Sequence, residues 1–223
     1  MNNHSVQRSA PGERRPPRAK NSAIRRAQLL KAARRVVLRR GLDQTRISDI
    51  AEEAGGSQGL THYHFESKEA LLAEMLRTAA DEDIESARQI VDGSGTVAQR
   101  LDRLLRLALP ITSEDWSWML WIDMWGSSLR NADMATTAES LDKAWTEMVC
   151  DLLREGQKSE VMNCVDPQAS ADRLTALVSG LGLRLTSSRA RFQRSYVLRL
   201  VRTAAALELG LEWTEYQGLI QES

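Results

Sequence analysis

The 223-residue chain has two cysteines, Cys150 and Cys164, with no CxxC spacing and no histidine cluster. A disulfide framework and a zinc site are therefore not expected. It has no apolar run of the length needed to cross a bilayer, and its first residues are too polar for a secretory leader, so a cytoplasmic protein is expected. Alternating β-branched runs between paired turns are missing, which argues against strands and for an all-α fold. There is no phosphate-binding loop, no metal-ligand constellation and no nucleophile with a base at working spacing, so catalysis is not expected and no cofactor is implied. Net charge is also missing, with 30 Lys and Arg against 30 Asp and Glu. The balance hides an asymmetry. Residues 1–40 hold 12 basic residues and one acid, Glu13, or +11, which leaves −11 for the remainder. A basic amino-terminal end suits phosphate, and the acidic body does not. A solubilising tail without a partner is the plainer reading.

What is present is helical periodicity. Residues 1–21, rich in Arg, Pro, Ser and Asn, read as a disordered basic arm, either a flexible tail or a strand-following DNA contact. Asn21 or Ser22 can cap a helix to about Arg40, with Ile24, Leu29, Leu30, Ala33, Val36 and Val37 inward and Gly41 as the stop. The next stretch is the most informative. Ile47, Ile50, Ala51 and Ala54 recur at helical spacing, so Ser48–Ala54 forms a short helix. Gly55 and Gly56 turn the chain, and Ser57 caps a second short helix from Gln58 to His64 or Phe65. Two short helices meeting at a glycine corner, the second polar and aromatic, make a helix-turn-helix whose second member lies in a DNA major groove.

The residues here resemble a known family. An isoleucine, then Asp49-Ile50-Ala51, then Ala54-Gly55-Gly56-Ser57-Gln58-Gly59, an aromatic run ending in Phe65, and Ser67-Lys68-Glu69-Ala70-Leu71-Leu72 are similar to the tetracycline-repressor (TetR) family of bacterial regulators. The likeness covers about the first third of the chain. The run Gly59–Phe65 is most similar to the branch containing the betaine-responsive repressors. Gly56 stands where a small apolar residue is usual, and His62 where tyrosine is commoner. The resemblance implies a three-helix DNA-binding domain over 22–68 and a helical ligand-binding and dimerisation domain over 69–223, about nine or ten helices in all.

By matched position, the DNA-contacting set is Arg46, Ser48, Ser57, Gln58, Gly59, Leu60, His62, Tyr63, His64 and Lys68. Gln58 can read adenine bidentately, and Lys68 and Arg46 suit phosphate. Thr61 is expected to turn inward, with Phe65 and Leu71 in the core. A metal or catalytic role for His62 and His64 is disfavoured, because residues two apart lie on different helix faces.

Downstream, a long helix runs from Glu69 to about Val91, and another from Thr96 to Leu109, stopped by Pro110. Residues 114–130 carry most of the tryptophan. Trp118, Trp121 and Trp125 share one helical face, Trp116 lies to one side, and Asp123 interrupts the apolar run. Core packing is one reading. The other is a pocket formed by Trp118, Trp121, Asp123, Trp125 and Trp145, in which indole faces near an acid hold an apolar cation or quaternary amine. A further helix reaches about Ser159. The last two major helices, about 167–187 and 193–209, have Val197, Leu200, Val201, Ala204 and Leu207 inward on the second. In similar proteins such helices pair across a two-fold axis, which implies a homodimer; closing the monomer core is the alternative.

The expectation is a ligand-responsive DNA-binding regulator. As a repressor it leaves an inverted-repeat operator when a small-molecule inducer binds, with a coupling energy of ~1–3 kcal/mol. The competing classes are a helical protein-interaction module without DNA binding and an all-α enzyme.

Overall fold

The computed structural model describes residues 18–112, 115–159, 163–187 and 192–221. Helix α1 (Arg18–Arg40) buries Leu29, Ala32, Ala33, Val36 and Val37. That is the spacing of a single helical face. It begins before the expected cap at Asn21 or Ser22, and residues 1–17 of the expected arm lie outside the described residues. Ile24, expected inward, is 45% exposed, because the helix extends past the elements that cover its later turns. Gly41 stops the helix at φ +79°, a left-handed conformation that costs glycine little.

Helices α2 (Ile47–Glu53) and α3 (Gln58–His64) follow. The Asp49 carboxylate accepts the Arg46 N–H at 3.1 Å, closing the first turn of α2. Gly55, at φ +64°, makes the corner, and the Gly56 N–H reaches back to the Ala51 carbonyl at 2.9 Å. The Ser57 hydroxyl accepts the Leu60 N–H at 3.2 Å and caps α3. Helix α1 packs on α2, and α2 on α3.

Helix α4 (Lys68–Val91), capped by Ser67, leads from this trio into the body and packs on α1. Then come α5 (Val97–Leu107), α6 (Trp116–Ser128), α7 (Ala132–Lys158), α8 (Pro167–Ser187), α9 (Arg194–Glu208) and α10 (Trp213–Ile220). Helix α5 ends two residues short of the expected Leu109; Ala108 caps it and Leu109 is buried beyond it. Helix α7 packs against α4, α5, α6 and α8, which makes it the centre of the body. There are ten helices and no strand among the described residues. Leu207, expected inward on α9, is 75% exposed; Ala205, Ala206 and Leu209 fill the core beside it.

Several arginines of α1 are paired. Arg26 pairs with Glu74, Arg34 with Glu82 at 3.2 Å, Arg35 and Arg39 with Glu53 at 2.6 and 2.5 Å, and Arg40 with Asp49 at 3.3 Å. The two guanidiniums, Arg35 first, hold the Glu53 carboxyl below the usual carboxylate range. Five of the twelve basic residues of 1–40 are therefore met by four acids from later in the chain, and these cations fasten α1 to α2 and α4.

Candidate nucleic-acid interface and ligand cavity

Helix α3 is displayed by two anchors. Thr61 is fully buried and Phe65 nearly so, while Gln58, Gly59, His62 and Tyr63 are exposed and Leu60 and His64 half-buried. Tyr63 is 78% exposed, uncommon for so large a ring. Its ring meets the edge of His64 at 5.1 Å. Behind the helix, Arg26 donates to the His64 carbonyl, stacks over Phe65 at 4.2 Å and bonds Glu74 of α4 through Nε at 2.8 Å. One side chain thus ties the end of the short helix to α1 and α4. Arg46 is exposed before α2, Ser48 is half-buried on it, and Lys68 is half-buried at the first position of α4, beyond the Ser57 and Ser67 caps. The ten expected DNA-contacting positions therefore lie on α2, α3, the turn between them and the start of α4.

The second site is a cavity of about 860 Å³ in the body, walled by α4 to α8. Trp116, Trp118, Trp121, Trp125 and Trp145 all line it. Trp118 meets Trp125 edge to face at 6.0 Å, and Trp121 lies 5.8 Å from Trp125. Helix α8 admits the first of these rings at Gly182, where a Cβ would lie 2.0 Å from the Trp118 ring. The missing side chain of Gly182 is what lets the indole approach the helix so closely. Trp116 is at the rim, 36% exposed, with the Arg34 guanidinium over its ring at 3.6 Å.

Carboxylates set the indoles. Asp83 of α4 accepts the Ser117 hydroxyl at 2.6 Å and the Trp121 N–H at 3.4 Å. Burial pushes the Asp142 carboxyl of α7 above the ordinary range, against the smaller, lowering influence of the Trp125 indole. Asp115 caps α6 by accepting the Ser117 N–H at 3.1 Å, and Asp172 stands on the α8 wall. No lysine, arginine or histidine lines the cavity among the described residues.

Asp123, expected beside the tryptophans, is carried to the opposite side of α6. Its Oδ2 accepts the Leu42 N–H at 3.3 Å, just past the end of α1. Five residues from Trp118 is more than one turn, so the two side chains diverge by well over a right angle. Trp118, Trp121, Trp125 and Trp145 share the cavity; Asp123 instead joins the body to the helix-turn-helix. Sequence reasoning missed Asp83, Asp142 and Asp172. The spacings Asp142–Trp145 and Asp172–Thr175 were the available signal, since residues three apart share a helix face.

Comparison with known proteins gives this architecture a family. Residues 29–75 match the model for bacterial regulatory proteins of the tetR family, and residues 97–210 match the carboxyl-terminal domain of BetI-type transcriptional repressors. The chain is a TetR-family transcriptional regulator. The repressor KstR2 of Mycolicibacterium smegmatis is 28% identical over 141 residues, 63% of this chain and 69% of the relative. The regulator BetI of Stenotrophomonas maltophilia is 23% identical over 176 residues, 72% of this chain and 81% of that protein. Among solved structures, a transcriptional regulator from Saccharomonospora viridis in complex with choline is 29% identical, with a TM-score of 0.74, covering 80% of this chain and 94% of its own. The family is one of transcriptional regulators, and this chain is a DNA-binding regulator of that family, not an enzyme. No helix among the described residues is long and apolar enough to cross a membrane.

Proposed function

We propose that the chain is a cytoplasmic repressor that holds an inverted-repeat operator as a homodimer and releases it when a small molecule enters the tryptophan cavity. On this reading residues 22–68 carry the DNA contacts and residues 69–223 the effector site and the dimer seam. The observation that carries the DNA half is the exposure of Gln58, His62 and Tyr63 on a helix anchored behind by Thr61, Phe65 and Arg26. Gln58 reads a base edge, while Arg46 and Lys68 fix the register on phosphate.

Pairing through α8 and α9 is supported by apolar surface left uncovered there. Leu207 is 75% exposed and Tyr196 42%, and Leu200 and Ala204 of α9 are only partly covered. A second copy that buries this face gives the two-fold arrangement a palindromic operator needs, with recognition helices about 34 Å apart or more.

Release follows from what the cavity walls touch. Helix α6 presents tryptophans inward, while its Trp116 lies under Arg34 of α1 and its Asp123 holds the Leu42 N–H. Helix α4 presents Asp83 to the cavity and begins at Lys68, directly after α3. An effector that spreads these walls tilts both supports of the DNA-reading trio. The choline complex of the relative from Saccharomonospora viridis supports a small-molecule effector.

The test is binding of the protein to the DNA flanking its own gene at two salt concentrations. Specific binding that weakens steeply with salt is expected. Gln58→Ala relaxes sequence preference by ~1–3 kcal/mol at one position, while Lys68→Ala weakens all sequences alike and lowers the salt slope by about one. Salt-insensitive binding, or none, would instead favour a protein-interaction module.

A further inference from the structure

The reading of the cavity as the effector site leaves the effector's chemistry open, and three features of the walls narrow it. The first is charge. Asp83, Asp115, Asp142 and Asp172 come from four separate parts of the wall, and no basic side chain lines the cavity among the described residues. An anionic ligand would enter against four carboxylates, two of them, Asp83 and Asp115, half-buried, and like charges repel it there. Among the described residues no cation pairs with the Asp83 or the Asp142 carboxylate, and the hydrogen bonds that Asp83 accepts come from neutral donors, the Ser117 hydroxyl and the Trp121 N–H. The second of these bonds draws an indole N–H to a carboxylate and so fixes how the Trp121 ring is turned.

The second is aromaticity. Five indoles in one cavity give ring faces that attract a cation. The rim already uses this chemistry, since Arg34 lies over Trp116 at 3.6 Å. The third is size. A volume of about 860 Å³ is that of a site for a drug-sized molecule, and an ammonium head group fills only a corner. Most of the rest of the wall is apolar, with Leu104, Leu105, Leu109, Val149 and Val178 among its residues, and the hydroxyls of Thr146, Thr175 and Ser179 interrupt it. That surface calls for a hydrocarbon or aromatic body attached to the charge.

We infer that the effector is a bulky amphiphilic organic cation, whose ammonium lies among the indoles and carboxylates and whose apolar body fills the α5–α7–α8 side of the cavity. A head-group cation alone uses only part of the site. This inference rests on the cavity being the effector site, so the experiment separates the two.

The full-length protein is titrated with tetramethylammonium, decyltrimethylammonium, decanol and decanoate, below micelle-forming concentrations. Indole fluorescence reports cavity occupancy, and release of the bound gene-flanking DNA reports response. Decyltrimethylammonium is expected to bind at least about a hundredfold tighter than tetramethylammonium, because the chain is buried. It should also bind at least about tenfold tighter than decanol and to release DNA, with decanoate weakest. Asp142→Asn is expected to weaken the decyl cation by about tenfold and to leave decanol unchanged, a difference that loss of folding would not produce. Equal binding of tetramethylammonium and its decyl counterpart overturns the bulky body. Decanoate binding as well as the cation overturns the charge, while the cavity remains the effector site. If no compound of the four changes the indole signal, the cavity reading itself fails, and this inference with it.

Discussion

Two aromatic stretches of this regulator have opposite fates. His62-Tyr63-His64 sits on a seven-residue helix and points outward, with Tyr63 78% exposed. The tryptophans of Trp116–Ser128 turn into the body, with Trp118 only 8% exposed and its ring set against Gly182. Composition alone does not separate them, since both are rich in rings with a polar tip. What separates them is the neighbour across the fold. Behind α3 stand Thr61, Phe65 and Arg26, which fill the only inward face a two-turn helix has. Across from α6 stand a bare glycine and the Asp83 carboxylate, which accepts the Trp121 N–H, while Asp115 caps the helix itself. An aromatic residue is buried where its partner leaves both space and an acceptor.

The largest expected effect comes from removing that space. A side chain at Gly182 begins 2.0 Å from the Trp118 ring, so Gly182→Leu must displace an indole that is itself wedged against Trp125. Overpacking of this kind costs ~3 kcal/mol or more. For a chain of this size the melting temperature falls by roughly 6–12 °C. Gly126, in the same helix as Trp118, has nothing within 4 Å of its missing Cβ. Gly126→Ala should hold or raise the melting temperature, by up to ~1 kcal/mol of helix propensity. Thermal denaturation of the pair tests whether space at the indole is the deciding term; equal melting temperatures would show that it is not.

The converse change on the outward stretch is Tyr63→Ala. The ring touches only His64 among the described aromatic pairs. Stability is expected to move by less than ~0.5 kcal/mol. Affinity for the operator should fall by ~1–2 kcal/mol, about tenfold, as measured by titration of labelled DNA. A variant that melts early while binding DNA normally would mean the ring is structural and the comparison is drawn wrongly.

The legibility of the chain follows the same division. The helix-turn-helix could be read because its signals are local. Gly55 must take a positive φ, Ser57 must accept an N–H, and Thr61 and Phe65 must alternate with exposed neighbours within one turn. The tryptophans could be placed on one face by spacing, and four of the expected set reach a common cavity. The acids could not. Asp83 and Asp142 come from other helices, and which carboxylate meets which indole depends on how α4, α6 and α7 cross. Asp123 was misplaced because proximity in sequence stood in for position on the helix. The charge of residues 1–40 was also only half legible, since the acids that pair with arginines of α1 lie from nine to 48 positions away.

Asp123 offers the finest test, because it belongs to α6 yet serves the other region. Its carboxylate takes the Leu42 N–H, while burial first, and then Asp43, raise its pKa against that bond. A raised carboxyl pKa means the fold prefers the protonated form. Ionisation therefore costs stability above the folded-state pKa, and the cost is relieved as pH falls through it. Asp123→Asn keeps an oxygen for Leu42 and removes the charge. At pH 7 it should match or slightly exceed the wild type, by less than ~1 kcal/mol because the site is partly open to solvent. The advantage should shrink as pH falls through the raised pKa. Asp123→Ala leaves the Leu42 N–H without this acceptor and should be the less stable of the two, by ~1 kcal/mol. Denaturant titrations of both variants at neutral and mildly acidic pH separate charge from hydrogen bond. An asparagine variant as unstable as the alanine one would mean that the charge itself, through the helix-turn-helix it faces, holds the two regions together.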